Sequence, residues 1–112
     1  MKSKIVIFLL IFSASVLISS CDTRTYDDVS GGVVLHPSYT QNIKPVMDNY
    51  CISCHQAGSQ DPDLTTYQLV KDNSAMIYQD IVSGSMPEGG EKLPSTTIQT
   101  FQNWMNNGMP EN

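Results

Sequence analysis

Cys51-Ile52-Ser53-Cys54-His55 is the stretch of this 112-residue chain whose residue types and spacing point most directly to chemistry. Two thiols three positions apart lie about one helical turn from each other, and an imidazole follows at once. Cys-x-x-Cys-His is the attachment signature of c-type haem. Each thiol can form a thioether to one vinyl group. The adjacent imidazole then falls beneath the iron and supplies its proximal nitrogen. Other uses of a Cys-x-x-Cys pair require partners that the sequence does not offer. A thioredoxin-like redox pair calls for a neighbouring βαβ pattern. A structural zinc site calls for a second set of ligands, yet the third cysteine, Cys21, sits in a different motif and His36 is the only other histidine.

Composition supports a cofactor in the core. Apolar residues make up 40 % of the chain, but thirteen of them fall in the first twenty positions. What remains is lean for one small domain, where a protein-only core is marginal. A porphyrin is a large apolar plate with ionised edges, and it would complete such a core. Three cysteines exclude a complete set of internal disulfides. Only six Lys and Arg stand against eleven Asp and Glu, which excludes a nucleic-acid partner.

The amino terminus reads as an export signal. Lys2 and Lys4 precede an apolar run over residues 5–18, broken only at Ser13-Ala14-Ser15. That run is short for a membrane span and right for a secretory signal. Leu17-Ile18-Ser19-Ser20-Cys21 resembles a lipobox. The resemblance implies cleavage before Cys21, lipid on its sulfur and acylation of the new amino terminus. Several acyl chains give stable anchoring where one gives reversible binding. Residues 1–20 are then a lipoprotein signal peptide, and residues 21–35, with their Gly31-Gly32 pair, a flexible tether. The expected location is a bacterial membrane, facing the periplasm. Loss of Lys2 and Lys4 leaves four basic and eleven acidic side chains. An acidic domain of this kind suits redox donor and acceptor proteins with basic docking surfaces.

The elements that must position the motif are helical. Ile43, Val46, Met47, Tyr50, Cys51 and Cys54 recur at i, i+3, i+4, i+7, i+8 and i+11, one helix face. Pro45 belongs in the first turn, so regular helix begins near Lys44. Two short helices are expected over residues 65–71, with Leu69 and Val70 inward, and 74–82, with Ile77 and Ile81 inward and Gly84 as the stop. Residues 86–94 read as a loop. Ser95 is the expected N-cap of a last helix whose stripe is Ile98, Phe101, Trp104 and Met105, ended by Gly108. No stretch alternates as a strand should. The expectation for residues 36–112 is one all-α domain.

This layout resembles a class I monohaem cytochrome c over residues 39–110. The resemblance rests on Ile43-x-Pro45 before the motif, the motif itself, Pro62-x-Leu64, Met86-Pro87 after Gly84, and a last helix with Trp104 and the Gly108 stop. It implies the cytochrome c fold, short helices around one covalently attached haem c. In that fold the first and last helices cross, packing Ile43 and Met47 against Phe101 and Trp104. It also implies metal ligation by His55 and Met86, with Cys51 and Cys54 holding the porphyrin. The Pro62 carbonyl would accept from His55, and Leu64 would pack on the cofactor. The family's Gly before that Pro is replaced here by Asp61. Among other donors, Met47, Met76 and Met105 fall in helical stretches and read as core, Met109 lies near the terminus, and His36 would give a bis-His site.

His/Met ligation fills both axial positions and favours ferrous iron. The implied function is therefore electron transfer by a membrane-tethered carrier, not an enzyme. The alternatives are a haem subunit of a larger oxidoreductase, or a haem enzyme or gas-binding sensor with an open distal site. The thin core carries a prediction of its own. The haem-free domain should be largely unfolded, with weak helical circular dichroism and no cooperative thermal transition. A haem-free protein with full helix content and a sharp transition would refute it.

Overall fold

The computed structural model describes residues 32–112. The expected signal peptide, Cys21 and most of the expected tether lie outside the described residues. The described chain is helical, with no strand among those residues. A π-helical turn, Tyr39–Ile43, runs directly into α1, Lys44–Tyr50; α2, Tyr67–Asp72, α3, Ser74–Ser83, and α4, Ser95–Asn106, follow.

Local chemistry sets these boundaries. Extended Ser38 caps the first turn by accepting from the Gln41 N–H, and Pro45 sits in the first turn of α1. The helix then stops at Tyr50, short of Cys54, where the apolar stripe predicted it to continue. The Met47 carbonyl accepts from both Cys51 and Ile52, at 2.9 and 3.0 Å. Sharing one acceptor between two successive donors breaks the i→i−4 register. Tyr50, expected on the inner face, is correspondingly exposed. Thr66 Oγ1 accepts from Leu69 N and starts α2 one residue later than its neighbour Thr65 would. Gly84 ends α3 at φ +81°, a conformation open to glycine without a Cβ clash.

Two further expectations need correction. Ser95 is the first residue of α4 and not its cap. Pro94 takes the cap position, φ −54° and ψ 143°, and no side chain caps the helix. The ring locks φ there and sets an extended entry without a hydroxyl. Met76, expected in the core, is 38 % exposed. The inward face of α3 is Ser74, Ile77 and Ile81, and Met76 lies about 100° of helix rotation from Ile77.

One apolar cluster joins the ends of the described chain. Tyr39, Ile43 and Met47 are buried in it with Phe101 and Trp104 of α4, and Leu64, Val70, Ile77, Ile81 and Leu93 complete it. The Phe101 and Trp104 rings meet edge to face at 5.4 Å, and Tyr39 stands 5.3 Å from Tyr67. Backbone bonds tie the termini together: Tyr39 N–H donates to the Pro110 carbonyl and Thr40 N–H to Glu111, each at 2.9 Å. Thr100, Asn103 and Asn107 lie on one side of α4. Thr100 accepts from Val34 N–H, and the two Asn amides donate to the Val34 and Leu35 carbonyls. Residues 34 and 35, on the tether side of the expected boundary, are thus held against α4.

Truncation of this junction should be costly. Phe101→Ala and Trp104→Ala should each remove about 3–5 kcal/mol of stability, read as a fall in the urea midpoint at constant slope. Leu35→Ala, at a side chain 69 % exposed, should stay within about 0.5 kcal/mol of the parent.

Candidate functional site

The end of α1 launches the cysteine–histidine segment as one tight turn. His55 N–H donates to the Cys51 carbonyl at 2.9 Å and Cys54 N–H to the same carbonyl at 3.2 Å. The next ten residues fold back on that turn. Leu64 N–H donates to the His55 carbonyl at 3.0 Å, and His55 Nδ1 lies 2.8 Å from the Pro62 carbonyl oxygen. A carbonyl only accepts, so Nδ1 carries the proton and Nε2 the lone pair. The imidazole is thereby fixed in one tautomer with a nitrogen available as a ligand. Leu64 is 2 % exposed and anchors the far end of this loop in the core.

A second loop comes from α3. After Gly84 the chain turns back, and Met86 N–H donates to the Asp80 carbonyl at 3.2 Å. Ser85 Oγ bonds the Asp80 carboxylate and Ser83 Oγ the Asp80 carbonyl. Lys92 Nζ donates to the Val82 carbonyl at 2.8 Å. A cation at the last turn of a helix is favourable, and this one closes the loop that carries Met86.

The two loops enclose a cleft. Some 660 Å³ of non-atom space, part of it open to solvent, is lined by Tyr50, Cys51, Cys54 and His55 from one segment and by Ile81, Met86, Pro87 and Leu93 from the other. An adjoining space of 310 Å³ shares Cys51, His55, Ile81 and Met86 and adds Leu64, Met76, Ile77 and Asp80. The lining is mostly apolar with a few convergent polar groups, the character of a small-molecule or cofactor site. The nitrogen and sulfur donors lining the larger space are one imidazole, two thiols and one thioether. Among the described residues no three His, Cys, Asp or Glu side chains gather as a metal site. Burial pushes the Cys51 thiol up to about 11, so its sulfur is held neutral in an apolar setting; Cys54 is exposed.

Of the residues singled out by sequence, Cys51, Cys54, His55 and Met86 come together in the cleft, Pro62 joins through its carbonyl, and Leu64 borders the smaller space. Cys21 lies outside the described residues. His36 is exposed and lines neither space, and neither do Met47, Met105 and Met109. Sequence reasoning missed Asp61, Met76, Asp80 and Glu88 as lining residues. The i, i+4 spacing of Met76 and Asp80 on α3 was the one available signal.

The turn after Pro62 gives a pH-dependent test. Asp63 accepts from Thr65 Oγ1 at 2.7 Å and Thr65 N–H at 2.9 Å. Both bonds favour the ionised carboxylate, the hydroxyl more strongly, and hold it below the usual range. A depressed folded value gives a contribution that is present above the unfolded pKa of about 3.9 and is lost as pH falls through the folded one. Thr65→Val should raise the Asp63 midpoint part of the way back, measured by carboxyl NMR titration. An unmoved midpoint would show that the hydroxyl does not hold this turn.

Comparison with protein families, with curated proteins and with solved structures finds no match to this chain.

Proposed function

We propose that residues 36–112 are a monohaem c-type cytochrome of the class I fold, acting in electron transfer on an exported chain anchored by lipid at Cys21. The observation that carries this reading is the convergence of Cys51, Cys54, His55 and Met86 on one cleft. Haem, when bound, supplies an iron that accepts and releases one electron without making or breaking bonds in a substrate.

The residues present fit that group. Cys51 and Cys54 would hold it through thioethers, and the desolvation that keeps the Cys51 sulfur neutral suits an uncharged thioether. His55 has Nε2 free because Nδ1 is engaged by Pro62, and the same bond fixes the orientation of the ring. Met86 offers a soft sulfur donor, which favours ferrous iron. Leu64, Ile77, Ile81 and Leu93 exclude water from the interior side. Ile43 and Met47 share a core cluster with Phe101 and Trp104, which supports the crossing of first and last helices expected of the fold. The tether would keep the domain close to membrane-bound donors and acceptors and raise their effective concentration.

Spectra of the purified full-length protein, oxidised, reduced and reduced under carbon monoxide, test the reading. The oxidised protein should show a weak long-wavelength sulfur–iron band, and the reduced protein should be inert to carbon monoxide. Met86→Ala should abolish the band and admit the gas. A parent protein without haem would sink the proposal. Rapid carbon monoxide binding by the parent would replace it with an open-site haem enzyme or sensor, and fixed-ratio co-purification with a dehydrogenase or oxidase would make the domain a subunit.

A further inference from the structure

Charge in the described residues is segregated. Asp61, Asp63, Asp80, Glu88 and Glu91 lie within residues 51–64 and 74–93, the segments that build the cleft, and Lys92 is the one basic residue there. Elsewhere Asp48, Asp72 and Glu111 are nearly balanced by Lys44 and Lys71. All three of these lysines are engaged. Lys44 pairs with Asp48, Lys71 donates to Tyr67 Oη, and Lys92 donates to the Val82 carbonyl. No lysine lines the cleft or the space beside it, whereas Asp61 and Glu88 line the first and Asp80 the second. The Asp61 and Glu88 carboxylates accept no hydrogen bond and form no ion pair among the described residues. No described residue therefore neutralises them.

Apolar surface accompanies these charges. Tyr50, 50 % exposed, lines the larger space, and Met76, 38 % exposed, lines the smaller. Exposed apolar and aromatic groups bordered by charge match the core-and-rim anatomy of protein interfaces. Transient contacts bury less than about 1,200 Å² in total, and a face built on two exposed apolar side chains and two carboxylates suits that class.

We propose that the mouth of the cleft is a docking surface for a protein with a lysine- or arginine-rich patch, with Asp61 and Glu88 steering that partner onto Tyr50 and Met76. Charge complementarity selects this occupant: an anionic partner, or an acidic second copy of this chain, would meet like charge here. That the partner is a redox protein rests on the electron-transfer reading; the position and polarity of the face do not.

The test uses the purified full-length protein and a lysine octapeptide, followed by backbone amide NMR at low and at 0.5 M salt. Shifts should cluster around Tyr50, Asp61, Met76 and Glu88 and vanish at high salt, where the screening length is only a few ångströms. The double variant Asp61→Asn/Glu88→Gln should weaken binding by about fivefold or more, and Glu111→Gln, remote from the cleft segments, by less than about twofold. Shifts scattered over the surface, or equal losses in the two variants, would overturn the docking face and leave only an effect of net charge. A folded protein whose spectrum lacks haem, with the shifts still clustered at these residues, defeats the electron-transfer reading alone.

Discussion

Burial of Trp104 is the constraint on which the rest of the structure depends. The side chain is fully buried, and its indole N–H donates to the Pro110 carbonyl at 2.9 Å. That carbonyl also accepts from Tyr39 N–H, so one oxygen joins α4, the chain end and the turn that leads into α1. Phe101, Ile43 and Met47 pack in the same cluster. With α1 held in this way, its last turn delivers Cys51, Cys54 and His55 to a defined place. A helix of seven residues is too short to be stable by itself, and its position comes from this junction.

Outside the junction, structure is maintained by local polar bonds. The loop over residues 55–64 is closed by a backbone bond from Leu64 and by the imidazole of His55, and the loop after α3 by Asp80, two serines and Lys92. Each bond contributes only about 1 kcal/mol, yet together they place an imidazole nitrogen and a thioether sulfur on one cleft. The interior of that cleft is apolar and its rim is acidic. A site of this character can hold an apolar plate inward and present a charged face outward.

Much of the helical pattern followed from periodicity and punctuation. Gly84, with no Cβ to clash at positive φ, stops α3 where expected, and Ile77 and Ile81 face inward as their spacing requires. The differences arise where one residue answers two demands. Cys51 continues an apolar stripe but sits where the Met47 carbonyl takes two donors, so α1 ends before the motif does. Pro94 displaces Ser95 from the cap because a locked φ outweighs a hydroxyl. Met76 looks like core by type and is set on the cleft side by one step of helix rotation. For the site, the cysteines, the histidine, the Pro62 carbonyl and Met86 were all apparent from spacing and resemblance. Asp61 and Glu88 were not, since nothing in their neighbourhoods distinguishes a cleft-lining side chain from a solvated one.

The sequence by itself determined the helical class, the donor atoms and the excess of acid over base, because these depend on residue type and on intervals of three and four. Tertiary structure alone decided that His55 and Met86, 31 positions apart, line a common space, that His55 presents Nε2, and that Asp61 and Glu88 line that space with them. Those outcomes depend on where α1 and α3 pack against α4, and packing is set by the shapes of buried side chains distant in the chain, which local spacing does not encode.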